Sequence, residues 1–79
     1  MPETPDTWTI EAVLRWTTDY FREKQLATAR LDAELLLAHV LGYERLHLYL
    51  QADRPLTEPE RADYRQIVRK RGQGSPVAY

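Results

Sequence analysis

The side chains able to do chemistry are few. Histidine occurs at His39 and His47 only, and cysteine is absent. A zinc site needs three or four nitrogen, sulfur or carboxylate ligands at suitable spacing, and neither His-Glu-x-x-His nor His-x-x-x-His occurs, so no metal ligand is assigned. His39 falls on one helical strip with Asp32, which predicts that both edge the surface, and His47 is expected opposite the inner face of its helix. Neither is a credible general base alone. Ser75 is the single serine and precedes a proline. That excludes a Ser-His-Asp nucleophile, and also an acyl carrier, which needs a serine opening a helix. Gly72-x-Gly74 superficially looks like a nucleotide loop, yet it follows a basic helix where that fingerprint requires a strand, and no helix opens after it. No catalytic or cofactor-binding residue is therefore assigned.

Charge and aromatic placement are more informative. Residues 1–52 carry five basic and eight acidic side chains, whereas residues 53–79 carry six basic and four acidic. Arg65, Arg69, Lys70 and Arg71 have no acidic residue after Asp63, a pattern open to contact with RNA or with an acidic protein. The same pattern satisfies the helix dipole, with Glu58, Glu60 and Asp63 early and the cations late. Trp16 lies off the apolar stripe of its helix and either extends the buried face or meets a partner; off-stripe tryptophans are common interface anchors. Trp16, Arg65, Arg69 and Lys70 are thus the candidate partner or interdomain contacts.

Four helical segments must position these groups. Thr9 is a good N-cap, and Ile10, Val13, Leu14, Thr17, Tyr20 and Phe21 recur at i, i+3, i+4, i+7, predicting a helix over about 10–24. Trp8 before the cap can pair with Val13 as a hydrophobic staple. Thr28 is expected to cap a second helix over about 29–41, closed by Gly42. That helix is apolar nearly all round, with narrow polar strips at Arg30/Glu34 and Asp32/His39, so it reads as the central one, and Leu35→Ala is expected to cost about 2 to 5 kcal/mol. A short third helix, about Glu44–Leu50, would turn Leu46, Tyr49 and Leu50 inward and end before Pro55. Thr57-Glu58-Pro59-Glu60 is a capping box opening a fourth helix to about Arg71, with Tyr64, Ile67, Val68 and the stem of Arg71 inside. After Gly72 comes a linker, and Val77-Ala78-Tyr79 has β character. No segment alternates with period two, so the fold class is all-α: a small bundle of four to five helices over residues 9–72, preceded by a tail (1–8) and followed by a linker (73–79).

With 79 residues and a net charge of -1 the chain has room for one small domain, too short for a complete cofactor-binding α/β enzyme. Hydrophobic residues at 43% and charged residues at 29% place it among folding chains. Without cysteine no disulfides hold it, and Met1–Trp8 lacks a signal-peptide pattern, so a cytoplasmic setting is expected. The longest apolar run, Leu35–Ala38, is far short of the roughly 20 residues needed to cross a bilayer.

Arg30-Leu31-Asp32-Ala33-Glu34-Leu35-Leu36-Leu37-Ala38-His39-Val40-Leu41-Gly42 is the most distinctive run. Together with Leu48-Tyr49-Leu50, Asp53-Arg54-Pro55-Leu56, Arg69 to Arg71, Gly74 and Pro76-Val77-Ala78-Tyr79, it resembles the N-terminal domain of the HemK/PrmC family, the release factor glutamine methyltransferases. The resemblance spans residues 8–79. It implies a helical bundle, a connecting β-hairpin begun by Val77-Ala78-Tyr79, and a Rossmann-like S-adenosylmethionine-dependent domain. In that family the methyl group goes to the side-chain nitrogen of the glutamine in the Gly-Gly-Gln motif of class 1 peptide chain release factors. The family's Asn-Pro-Pro-Tyr motif and glycine-rich cofactor loop have no counterpart here, so the resemblance implies a piece cut at the domain boundary, inactive alone and without S-adenosylmethionine. Its expected partners are class 1 release factors and its own C-terminal methyltransferase domain, with no membrane, no direct nucleic acid, and a monomeric state. Charge reversal at Arg65 and Arg69 in the full-length enzyme is then expected to raise KM for the release factor. Two other readings stay open: a stand-alone helical interaction module, and a small nucleic-acid-binding bundle using the basic end of the fourth helix.

Overall fold

A helix leaves its first amides without helical acceptors, and at the start of α1 (Ile10–Glu23) each of them finds another. The Ala12 N–H donates to the Thr9 hydroxyl at 3.2 Å, while the Ile10 and Glu11 N–H groups donate to the Arg54 and Ala52 carbonyls at 3.0 and 3.1 Å. The Leu56 N–H donates to the Trp8 carbonyl at 2.9 Å, next to an antiparallel bridge between Thr9 and Pro55. The entry to α1 is thereby fastened to the loop that leads into the last helix. These features come from a computed structural model that describes residues 7–73. The linker beyond Gln73 and the hairpin start at Val77-Ala78-Tyr79 lie outside the described residues.

The remaining elements are α2 (Ala29–Leu41), α3 (Arg45–Leu50) and α4 (Glu58–Gly72). No strand occurs among the described residues, and the all-α bundle expected from periodicity is what forms. Gly42 closes α2 at φ 69°, in the left-handed region that a residue lacking Cβ enters freely. Thr57 and Glu60 form the capping box of α4: the Glu60 N–H donates to the Thr57 hydroxyl at 3.3 Å, and the Thr57 N–H donates to the Glu60 carboxylate at 2.8 Å. One helix end follows a rule the sequence hides. The Leu26 N–H donates to the Phe21 carbonyl and the Gln25 N–H to that of Arg22, a Schellman closure with Gln25, not glycine, at φ 63°.

α2 is central and packs against each of the other helices. Ile10, Leu14, Phe21, Leu37 and Leu48 are the largest apolar side chains fully enclosed, with Leu36, Leu56, Tyr64 and Val68 around them. The Tyr64 hydroxyl donates to the Ala33 carbonyl at 2.9 Å, tying α4 to α2 through the core.

Four expectations need correction. Thr28 makes no side-chain cap bond, since its backbone, at φ -111° and ψ 44°, is outside the extended region from which a cap hydroxyl reaches the first amides. On α2 the apolar surround is incomplete: Leu35 is only half-buried and Leu31 is 38% exposed, so Leu37 carries the burial expected of Leu35. Of the strips read as polar edges, His39 is exposed as expected and Arg30 is half-buried, whereas Asp32 and Glu34 are instead buried. Each is buried because it has a cation. Arg71 donates to Asp32 through Nε at 3.2 Å and through its terminal nitrogen at 3.0 Å, and Glu34 accepts from Arg30 at 2.8 Å, from Arg45 at 2.8 Å and from the Tyr49 hydroxyl.

The fourth correction concerns α3. Leu46, Tyr49 and Leu50 are 67%, 51% and 72% exposed, and Leu48 alone is buried. Arg45 and Tyr49 are one turn apart on the same face, and both reach Glu34. That polar clasp fixes the rotation of a helix of only six residues, and the side assigned by pattern to Leu46 and Leu50 faces away. His47 is exposed and stacks on Tyr43 with ring centroids 4.0 Å apart.

Candidate recognition cleft

α1 and α4 enclose a cleft of about 340 Å³. Val13 and Thr17 of α1 and Tyr64 and Val68 of α4, all buried, supply the apolar part of its lining. Trp8, Trp16 and Tyr20 complete one wall. Trp16 and Tyr20, one turn apart, stack with centroids 5.6 Å apart and planes at 13°, and Trp8 meets Trp16 edge-on at 6.5 Å. The other wall carries Arg61, Arg65 and Arg69, which recur every fourth residue and so share one face of α4.

The aromatic wall is braced from behind. Lys24 places its ammonium 5.6 Å from the Tyr20 ring centre. Gly72, the last residue of α4, lies so close to Tyr20 that a Cβ there would come within 2.6 Å of the hydroxyl oxygen and 2.8 Å of a ring carbon. Here the glycine both marks the end of the helix and makes room for the ring. Arg71, one residue earlier, is held by Asp32. The C-terminal turn of α4 is therefore fixed against both α1 and α2.

The cleft brings together groups that the sequence offered separately. Trp16, Arg65 and Arg69 line one cavity, although they come from opposite ends of the chain. Lys70, also a candidate, is exposed on α4 and does not line it. Trp8, Tyr20 and Arg61 were not singled out as site residues. The signal for Tyr20 and Arg61 was present, as the spacings Trp16/Tyr20 and Arg61/Arg65/Arg69 each mark a single helix face. For Trp8 the signal is its staple position before the Thr9 cap, opposite Val13, which lines the same cleft.

Chemically, the lining offers flat apolar surface and guanidinium donors. Arg61, Arg65 and Arg69 have no carboxylate within ion-pair distance among the described residues. Among the described residues two buried side-chain donors lack a hydrogen-bond partner, Arg54 Nη1 outside the cleft and Arg61 Nε in its lining. A planar guanidinium pairs in bidentate fashion with carboxylate or phosphate. Among the described residues no group of three or more His, Asp or Glu side chains is placed to hold a metal ion, and no helix is long and apolar enough to cross a membrane.

Buried Glu34 and half-buried Glu60 are not part of the cleft lining and have structural partners. Burial pushes the Glu34 carboxyl up, but hydrogen bonds from Tyr49, Arg45 and Arg30 outweigh it and hold the group below its ordinary value. The hydrogen bond from Arg54 lowers Glu60 in the same direction.

Comparison with known proteins matches residues 12–79 to the PrmC N-terminal domain. The release factor glutamine methyltransferase of Rhodopirellula baltica is 49% identical over 71 residues, covering 90% of this chain and 24% of that protein. Those of Chlorobaculum tepidum and Geobacter sulfurreducens are 48% and 43% identical over 79 residues, covering all of this chain and 26% and 28% of theirs. The chain thus spans about a quarter of the length of these curated relatives. No solved structure matches it significantly. Because the match runs from the first turn of α1 to the last residue and the relatives align across the same bundle, the chain belongs to the PrmC N-terminal domain family.

Proposed function

We propose that this bundle is the N-terminal substrate-recognition domain of an S-adenosylmethionine-dependent protein methyltransferase, which methylates the glutamine of the Gly-Gly-Gln motif in class 1 peptide chain release factors. The observation that carries the reading is the family relationship across the whole bundle, to proteins named release factor glutamine methyltransferase. The role follows from what the domain offers. A bundle with a rigid, arginine-lined cleft serves by holding a protein substrate, and correct placement of reacting groups is worth several kcal/mol of barrier, about 7 to 11 in the best cases.

The cleft is not suited to S-adenosylmethionine. The cofactor carries a sulfonium and an ammonium against one carboxylate, so although an arginine could pair with that carboxylate, its two cations and ribose hydroxyls meet three arginines and no carboxylate in the lining. Cofactor binding is therefore assigned to the rest of the polypeptide, and residues 1–79 alone should neither bind it nor transfer a methyl group. Calorimetry detecting micromolar cofactor binding to this chain would remove that assignment.

The direct test is kinetic. In the full-length enzyme, deleting residues 1–72 should lower kcat/KM for the intact release factor by at least about tenfold, roughly 1.4 kcal/mol of lost stabilisation. Affinity for S-adenosylmethionine should persist. Equal kcat/KM with and without the bundle would refute the recognition role.

A further inference from the structure

We infer that the α1–α4 cleft docks an acidic peptide segment, seating one apolar side chain between the Trp16/Tyr20 and Tyr64/Val68 walls and laying carboxylates along Arg61, Arg65 and Arg69. The inference goes beyond the family reading, since it names the ligand chemistry from the cleft itself, whichever protein carries the segment.

The arginine row is hard to explain as a folding device. Like charges at i, i+4 repel, and this row holds two such pairs in succession. The helix dipole favours cations only in the last turn, which accounts for Arg69, Lys70 and Arg71. Arg61 stands one turn from the N-terminus, where a cation is unfavourable, and Arg65 stands mid-helix. Other arginines of the bundle have partners: Arg30 and Arg45 hold Glu34, Arg54 holds Glu60, and Arg71 holds Asp32. The cleft row is the exception among them. It flanks apolar floor and stacked aromatics, and Arg61 adds a buried donor in need of an acceptor.

Charge and geometry together choose the occupant. The Cβ atoms of residues one helical turn apart are about 5 to 6 Å apart, a spacing matched by acidic side chains at every fourth residue of a helix and approached by the roughly 6.5 Å between alternate residues of a strand. A cavity of about 340 Å³ takes one or two side chains, not a whole element. A nucleic acid fits less well. The chain as a whole is at -1, and exposed Glu58 and Asp63 of α4 flank the row, so an extended phosphate backbone meets repulsion on leaving the cleft.

Trp8 and Trp16 are the only tryptophans in the chain and both line the cleft, so intrinsic emission reports on it without a label. The probe is a capped peptide of about twelve residues, with glutamate at every fourth position and leucines between. Titrated into the full chain, it should change the emission saturably. Affinity should fall on the order of tenfold with a leucine-to-serine twin, and by at least that factor on Arg65→Glu/Arg69→Glu protein whose far-UV dichroism matches the parent. Arg65→Lys/Arg69→Lys, which keeps the charge, should retain most of the binding. The inference is overturned by any of three results: no saturable change with the acidic peptide, equal binding of a lysine twin, or unaltered binding to the charge-reversed protein. Tighter binding of an oligouridylate of matched charge at about 0.15 M salt would equally overturn it, assigning the cleft to phosphate. Because the readout is binding to this chain, failure here leaves the methyltransferase reading standing, and absence of methyl transfer by the full-length protein leaves this inference standing.

Discussion

At the level of single residues, Glu34 does the most. It is 1% exposed, and it is the acceptor through which Arg30 of α2 and Arg45 and Tyr49 of α3 meet. Glu34→Gln keeps the shape but turns one acceptor oxygen into an NH2 donor, so either the Arg45 bonds at Oε1 or the Arg30 and Tyr49 bonds at Oε2 are lost, and the change is expected to cost about 1.5 to 3 kcal/mol by urea denaturation near pH 7. A value under about 0.5 kcal/mol would show that the clasp contributes little net stability. The pH dependence follows from the direction of the shift. Since the folded-state value is held below the ordinary 4.5, the contribution is complete above that value and is lost as pH falls through the lower, folded one. Parent and Glu34→Gln denaturation midpoints should therefore converge as pH falls below the ordinary carboxylate value. Gln25 offers the opposite case. At φ 63° it bears the left-handed penalty of about 1 to 2 kcal/mol for a side chain with Cβ, so Gln25→Gly should stabilise by up to about 1 kcal/mol after its own entropy cost. A lower denaturation midpoint for Gln25→Gly would contradict this account of the α1 end. Nothing in the local sequence announces Gln25, whereas Thr9, Gly42 and the Thr57/Glu60 box were legible because a cap is decided within three or four residues.

The elements show where that legibility stops. Periodicity placed all four helices within a residue or two, and named α2 as central, because amphipathic spacing is a property of each segment alone. The rotation of α3 was not available that way. It is set by Glu34, eleven residues from Arg45 and fifteen from Tyr49, and no reading confined to six residues contains that partner. The burial of Asp32 is likewise decided by Arg71, 39 residues away. The cleft lies between these cases: its arginine row and its Trp16/Tyr20 pair are each written on one helix, and only packing shows that they face one another. Two substitutions test the packing of elements. Leu37→Ala, at a fully enclosed site, should cost about 2 to 5 kcal/mol, and half-buried Leu35→Ala distinctly less. Equal costs would mean that α2 is turned from the orientation described. Gly72→Ala would gain up to about 1 kcal/mol on a free helix surface. Here its methyl collides with Tyr20, so the gain should vanish and tryptophan emission should shift as the Trp16 stack is disturbed. A clean stabilisation with unchanged emission would show that the contact yields freely.

For the molecule as a whole, the question is whether the arginine row exists for folding or for binding, and the two answers predict opposite signs. If the row served the fold, reversing its central charge would destabilise the bundle. If it is kept for a ligand, the unliganded protein bears two repulsive pairs, Arg61/Arg65 and Arg65/Arg69, and Arg65→Glu turns both attractive. Arg65 is exposed, so the substitution opens no cavity and strands no partner. At about 0.2 to 0.5 kcal/mol for each repulsion removed and each attraction gained, the variant should be more stable by about 0.8 to 2 kcal/mol at low salt. Half a molar salt should shrink most of that difference, because screening at such ionic strength acts within about 5 Å. The same variant should lose affinity for the acidic peptide, and, under the methyltransferase function proposed above, Arg65→Glu/Arg69→Glu in the full-length protein should raise KM for the release factor if that protein carries the segment. Higher stability joined to weaker binding is what a surface held in tension for a partner produces, as stabilising changes at functional sites commonly reduce function. Lower stability of Arg65→Glu at low salt would return the row to the fold and leave the cleft without its strongest claim to a ligand.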